Sequence, residues 1–205
     1  MTDDTSIEQR RQEEMQLYRD AYAEGKYGMG KRRQEDVRRI LADIARAYPG
    51  DRSLLDLGTG RGETCRFALE AGFAPVRGLE QVPELTGLFD GPGGLYEVQR
   101  WQADQPIPAE DGKIDHVTCF DVVEHLLEPD IHNLIREGWR VARRTMTVSA
   151  SERPSELGPG GRDLHISKRP AAAWQALFES LTGVCWRQIG MAGGSPCFQA
   201  VRDPS

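Results

Sequence analysis

The stretch that most restricts the fold is Asp56-Leu57-Gly58-Thr59-Gly60-Arg61-Gly62, which grows out of an apolar run beginning at Ser53. A buried strand entering alternating glycines, then a helix carried to Leu69 and stopped by Gly72, brings the backbone close to a ligand that any Cβ would hold off. A second apolar run, Pro75 to Glu80, ends in an acid 22 residues after Gly58. About 20 residues is the spacing at which a carboxylate ending the second strand reaches a ribose across the reversal point of an open α/β sheet. The residues point to a nucleoside-like ligand, with Glu80 accepting from the 2′- and 3′-hydroxyls. A glycine turn alone is also compatible with a plain strand-to-helix connection.

Along the rest of the chain, short apolar runs alternate with helical stripes, the pattern of a parallel α/β sheet. Strands are expected near Leu95–Val98, over Ile114–Phe120 and over Thr145–Ser149, with a short helix from Pro83 to Phe89. Ile131, Leu134, Ile135 and Trp139 mark one face of a helix begun at Pro129-Asp130; Trp174, Leu177, Phe178 and Leu181 mark another behind Pro170. Glu152 to Arg162 reads as a loop, and two closing strands, Val184–Ile189 and Cys197–Val201, form an antiparallel hairpin joined by Gly190 to Pro196. The expected fold is α/β: a doubly wound, mostly parallel seven-stranded sheet with a C-terminal antiparallel hairpin and an N-terminal helical cap. Residues 1–50 form that cap, with Met15, Tyr18 and Tyr22 on one stripe and Val37, Ile40, Leu41 and Ile44 on the next. Residues 51–205 form the α/β domain, so the chain's 205 residues make one domain with an added terminal segment.

Small departures decide which nucleoside. The dinucleotide fingerprint G-x-G-x-x-G requires a third glycine at position 63, where Glu63 stands and would repel a pyrophosphate at the helix start. An acid followed by three alternating glycines instead resembles the first motif of the class I S-adenosylmethionine-dependent methyltransferases. The resemblance continues in order. Gln102-Ala103-Asp104, ahead of Gln105-Pro106-Ile107-Pro108, looks like that family's third-strand motif. Phe120-Asp121-Val122-Val123-Glu124-His125-Leu126 is similar to the D-V-x-E-H-x run of its small-molecule, ubiquinone-biosynthesis-like (type 11) branch.

The match covers about residues 50–202 and implies a Rossmann-like methyltransferase domain whose cofactor is S-adenosyl-L-methionine. It implies Asp56 at the methionine end, Gly58, Thr59, Gly60 and Gly62 along the turn, and Glu80 with Gln81 at the ribose. Asp104 would meet the adenine amino group, and Asp121 would lie beside the cofactor. Tyr27, with Met29, would fold over it as a lid. Two of these have bland readings as well: Asp104 as a solvated loop acid, and Tyr27 as part of an interhelical turn.

A sulfonium methyl is already activated, so the protein's main work is orienting the acceptor in line with it. A base is needed only for an acceptor that carries a proton. His165 and His125 are the candidates, each with an alternative: a loop histidine without a task, and a structural histidine near a helix start. His116, inside the fourth strand, reads as packing, and His132 as surface. Arg61 points to the cofactor carboxylate or to solvent, and Lys31-Arg32-Arg33 with Arg38 and Arg39 reads as a solvated helix face, or as a run greeting a phosphorylated or acidic acceptor.

The expected reaction moves a methyl group to an oxygen or nitrogen of a small-molecule or carbohydrate-type acceptor. A non-catalytic nucleoside- or S-adenosylmethionine-binding protein and a nicotinamide-dependent oxidoreductase are the rival readings; the second lacks a Tyr-x-x-x-Lys pair. A net charge of −6 argues against gripping nucleic-acid phosphates, and no N/D-P-P-Y/F follows the fourth strand. Cys65, Cys119, Cys185 and Cys197 stand far apart with no CxxC pair, so neither a disulfide framework nor a metal site is expected. Without an apolar run of membrane-spanning length, and with Met1-Thr2-Asp3-Asp4 unlike a secretory leader, a cytoplasmic monomer or homodimer is expected.

Overall fold

Strand β1 (Leu54–Leu57), buried along its whole length, lies near the middle of an eight-stranded sheet. A computed structural model describes residues 4–25, 28–92, 94–155 and 158–202. The other strands are β2 (Val76–Glu80), β3 (Gly87–Gly91), β4 (Gly94–Arg100), β5 (Ile114–Phe120), β6 (Ala142–Ser149), β7 (Arg187–Ala192) and β8 (Ser195–Val201). Their order is β3-β4-β2-β1-β5-β6-β8-β7. The five from β4 to β6 are parallel, whereas β3 and β8 run antiparallel to their neighbours.

Both faces of the parallel strands are covered, so successive side chains enter two cores. Leu55, Leu57, Val117 and Cys119 face one, with Ile131, Leu134 and Ile135 of α4 (Glu128–Val141) and Trp174 and Phe178 of α5 (Ala171–Thr182). Leu54 and Phe120 face the other, with Val37, Ile40, Leu41 and Ile44 of α2 (Lys31–Ala47) and Cys65, Phe67 and Ala68 of α3 (Glu63–Glu70). The remaining helix, α1 (Asp4–Ala23), buries Tyr18 and Ala21. The chain leaves β1 in one direction across the sheet and β5 in the other, which opens a crevice at the C-terminal ends of these two strands.

The doubly wound fold class is as expected, with two corrections in detail. The stretch from Pro83 to Phe89 is not a helix: one 3₁₀ turn, Pro83–Leu85, gives way to β3, which makes the eighth strand. Gly87, at φ 149°, is unsuited to a helix, and Phe89 stacks on Tyr96 of β4 with centroids 5.5 Å apart. The closing hairpin turns at Gly193 and Gly194, with φ 62° and 96°, rather than over Gly190 to Pro196. Two left-handed glycines make a tight two-residue turn that matches strand twist. The strand before it therefore runs from Arg187 to Ala192, and Val184 to Trp186 lie ahead of it.

Candidate active site

The glycine turn and the acid of β2 are joined directly. Glu80 is 6% exposed, and its Oε2 accepts from the Gly60 N–H (2.8 Å) while Oε1 accepts from the Val82 N–H (3.0 Å). Burial raises its carboxyl above the usual range, opposed by these backbone donors. Gly58, Gly60 and Gly62 all adopt left-handed φ of 69°, 55° and 75°. They are also spatially required. A Cβ on Gly58 would meet the Val122 side chain at 2.5 Å, and one on Gly62 the Tyr96 hydroxyl at 2.5 Å. One on Gly60 would meet Tyr22 Oη, from α1, at 2.5 Å.

Two clefts meet at Tyr22, Gly58, Asp121 and His125. The narrower, of about 540 Å³, is mainly apolar, with Tyr18, Leu79, Trp101, Ala103 and Leu134 around Glu80 and Gln81. The wider, of about 1230 Å³, is polar and takes in Thr59, Gly60, Arg33, Ser151, Arg153 and His165. Beyond the narrow cleft, Asp104 sits with Gln81 and Ala103. Arg11 of α1 lies 3.2 Å from Asp104 Oδ2 and also chelates Asp130, with Nε 3.1 Å from Oδ2. The other Asp104 oxygen, Oδ1, is buried without a hydrogen-bond partner.

The run after β5 is tightly built. Asp121 has φ 55°, rare for a residue with a Cβ and costing roughly 1–2 kcal/mol. Its N–H donates to Ser149 Oγ (2.9 Å), whose hydroxyl donates back to Oδ1 (3.0 Å), and Oδ2 pairs with Arg33 of α2. Glu124 is fully buried; Oε1 accepts from the Ser151 N–H (2.9 Å), and Oε2 has no hydrogen-bond partner. Desolvation, with the nearby Asp121 charge, pushes its carboxyl up to about 8.

His125 donates from Nδ1 to Leu164 O (3.0 Å), since a carbonyl only accepts, and desolvation drives its pKa down to about 3. His165 packs edge-on against that ring, with centroids 4.5 Å apart, and donates from Nδ1 to Arg153 O. Asp163 Oδ1 accepts from the N–H groups of Ser155 (2.8 Å) and His165 (2.9 Å), which fixes the loop carrying this histidine.

Gly58, Thr59, Gly60, Glu80, Gln81, Asp121, His125 and His165 thus line the joined clefts. Gly62 lies behind them on Tyr96. Asp56 lies behind the wall, with Oδ1 accepting from Thr118 Oγ1 (2.7 Å), and desolvation pushes its pKa up to about 7. Tyr27 lies outside the described residues. His116 is buried between Phe73 and Tyr48 and shares a 2.9 Å hydrogen bond with Thr145 Oγ1. His132 pairs with Glu128 on α4. Arg61 lines the wide cleft and donates to the Tyr22 carbonyl (3.0 Å). The solvated-face reading of the basic run fails at Arg33, which turns inward to Asp121.

Sequence reasoning did not single out Tyr18, Tyr22, Trp101, Arg33 or Glu124 as site residues. The helical stripe of Tyr18 and Tyr22 was visible, but nothing in it named the crevice as its partner.

A sheet that reverses direction above a glycine turn, with a buried acid at the end of the second strand, defines a nucleoside-binding α/β protein. Residues 29–181 match the family described as a methyltransferase domain, and the chain belongs to that family. It is a class I S-adenosylmethionine-dependent methyltransferase, an enzyme whose cofactor is S-adenosyl-L-methionine, and the nicotinamide-dependent reading falls.

Among solved structures it is similar to magnesium protoporphyrin IX methyltransferase from Synechocystis PCC 6803 with bound S-adenosylmethionine. That match has 17% identity and TM-score 0.67, and covers 99% of each chain. It is also similar to a putative S-adenosylmethionine-dependent methyltransferase from Methanococcus maripaludis (13%, TM-score 0.57, 81% of this chain and 85% of that one). A third match is an O-methyltransferase family protein from Burkholderia thailandensis (10%, TM-score 0.61, 82% of this chain and 55% of that one). At these identities the likeness is one of fold. No curated protein sequence matches the chain. Among the described residues, no helix is long and apolar enough to cross a membrane.

Proposed function

We propose that the protein methylates an oxygen or nitrogen of a small-molecule or carbohydrate-type acceptor, with the adenosyl group in the narrow cleft and the acceptor in the wide one. The observation that carries this reading is the join between them: an apolar slot floored by Glu80 opens, past Gly58, Asp121 and His125, into a polar chamber. Glu80 is held by two backbone N–H groups, leaving its further lone pairs for the ribose hydroxyls. The buried, unpartnered Asp104 Oδ1 suits the adenine amino group, with Trp101 and Leu134 along the ring. Asp56 acts from behind, holding β1 to β5 through Thr118 beneath the turn. Residues 1–50 serve as the cap, with Tyr18 and Tyr22 of α1 over the cleft, and 51–205 as the methyltransferase domain.

When bound, S-adenosylmethionine supplies an electrophilic methyl group. The chain's task is to set the acceptor atom in line with it, an orientation effect worth up to about 7–11 kcal/mol. His165, backed by His125, faces the acceptor's reacting atom. Because burial leaves His125 neutral and weakly basic, it orients rather than takes a proton.

Calorimetric titration with S-adenosylhomocysteine and with NADH, followed by transfer of a labelled methyl group into fractionated small-molecule pools, tests the reading. Binding of the first alone, and label in a small neutral or sugar-like product, is expected. Heat with NADH alone would overturn it. Cofactor binding with no transfer into any pool would favour a protein that only binds.

A further inference from the structure

Glu124, His125 and His165 come from two separate chain segments and place one ligating atom each within 4.8 Å of one another. The geometry points to a divalent transition-metal site here, one carboxylate and two imidazoles, that binds the hydroxyl of the methyl acceptor. Three features of the structure support it independently.

The first is the carboxylate. Glu124 is 0% exposed, and its Oε2 faces no donor. A buried carboxyl oxygen without a hydrogen-bond partner is costly, and a metal ion that takes the place of the acid's proton is one of the few partners that offsets this. Arg33, whose charge reaches Glu124, is engaged with Asp121.

The second is the state of the imidazoles. Each donates from Nδ1 to a main-chain carbonyl, His125 to Leu164 and His165 to Arg153. Each ring is thus anchored by a backbone carbonyl, the arrangement by which metal-binding histidines are held from behind. The third is rigidity. The Ser167 N–H donates to Glu124 O (2.9 Å), and Ser167 Oγ to Leu126 O (2.7 Å), stapling the two segments together. Ligand atoms around a tetrahedral zinc stand ~3.4 Å apart, given bonds of about 2.0–2.1 Å, so the cluster needs only a modest contraction.

Two imidazoles and a glutamate with positions left open make a catalytic rather than a structural donor set, suited to Zn²⁺, Mn²⁺ or Co²⁺ more than to Mg²⁺. The cluster borders the wide cleft, where the proposed function puts the acceptor, and the inference rests on that reading. It also narrows the acceptor atom to oxygen. A hydroxyl on the ion loses its proton to bulk water near neutral pH. Its oxygen lone pair forms the new C–O bond as the S–C bond breaks with its electron pair on sulfur. No side-chain base is then required, and His165 acts as a ligand.

The test uses full-length protein stripped with chelator and titrated with Co²⁺, read by its visible ligand-field bands, while S-adenosylhomocysteine affinity is measured separately by calorimetry. One equivalent of Co²⁺ with bands typical of nitrogen ligation is expected. His165→Ala should weaken Co²⁺ by more than the roughly 10–100-fold lost with a mere supporting hydrogen bond, and should leave S-adenosylhomocysteine affinity within about twofold. Glu124→Gln, which keeps an oxygen for the Ser151 N–H, guards against loss of folding and should weaken Co²⁺ likewise. The surface variant His132→Ala should retain the bands. Failure to bind Co²⁺, or bands that vanish in His132→Ala and persist in His165→Ala, would overturn the metal site. Loss of S-adenosylhomocysteine binding in the parent protein would instead sink the cofactor reading.

Discussion

The carboxylate of Glu80 and the backbone N–H of Gly60 are hydrogen-bonded at 2.8 Å, so the proposed ribose acid and the glycine turn form one unit. Glu80→Gln should therefore do two things at once. It removes the charge that strengthens a ribose hydrogen bond, and it places an NH₂ group beside one of two N–H donors. S-adenosylhomocysteine affinity should fall by roughly 1.5–3 kcal/mol, or about 10–150-fold. Calorimetry reads the affinity, and a thermal melt of the ligand-free protein should show a smaller loss.

Gly60→Ala tests the turn. Residue 60 has φ 55°, and its Cβ would stand 2.5 Å from Tyr22 Oη. The substitution should cost about 1–2 kcal/mol in backbone strain and displace the tyrosine. Urea unfolding should register both costs, and the double substitution with Tyr22→Phe should recover the steric part alone.

Asp56 ties stability to pH. Burial pushes its carboxyl from 3.8 up to about 7, so between these values the native state holds a proton that the unfolded chain has released. Stability should accordingly fall as pH rises from about 4 to 7 and level off above that, by at most about 4 kcal/mol. Asp56→Asn keeps an oxygen for the Thr118 hydroxyl and removes this slope. Urea unfolding at the two ends of the window should find the variant gaining on the parent as pH rises.

Arg11 holds Asp104 and Asp130 together from α1. Arg11→Ala leaves two acids close to one another without their cation, and should cost roughly 1–3 kcal/mol. Proteolysis within α1 and a lower affinity for S-adenosylhomocysteine should appear together. Arg11→Lys, which cannot chelate both acids, should recover only part of either.

The thiols offer a check on the packing. Cys65, Cys119 and Cys197 are buried with raised pKa values, and Cys185 is exposed. A disulfide reagent should modify one thiol rapidly in native protein and all four after unfolding.

Local signals made much of this legible. The glycines at 58, 60 and 62 and the acid at 80 sit in one short turn and one strand end, where sequence spacing is spatial spacing. The region between β2 and β4 was harder. Leu88 and Phe89 fit a helix or a strand equally over so short a run, and only pairing with Tyr96 and Glu97 selects the strand. Arg33 looked solvated because its partner, Asp121, lies on another element. Glu124 appeared only as one position of a motif, since its full burial is a property of the packed molecule. Tyr22 of α1 meets Gly60 from a distant part of the chain, a contact that no periodicity encodes.

That last contact has a kinetic corollary. On the proposed placement of the cofactor, an aromatic hydroxyl from the first helix shares the space above the turn with the nucleoside, whose arrival and departure would then be geared to small excursions of that helix. Hydrogen–deuterium exchange along α1 should slow when the slot fills, making this segment a built-in gauge of occupancy.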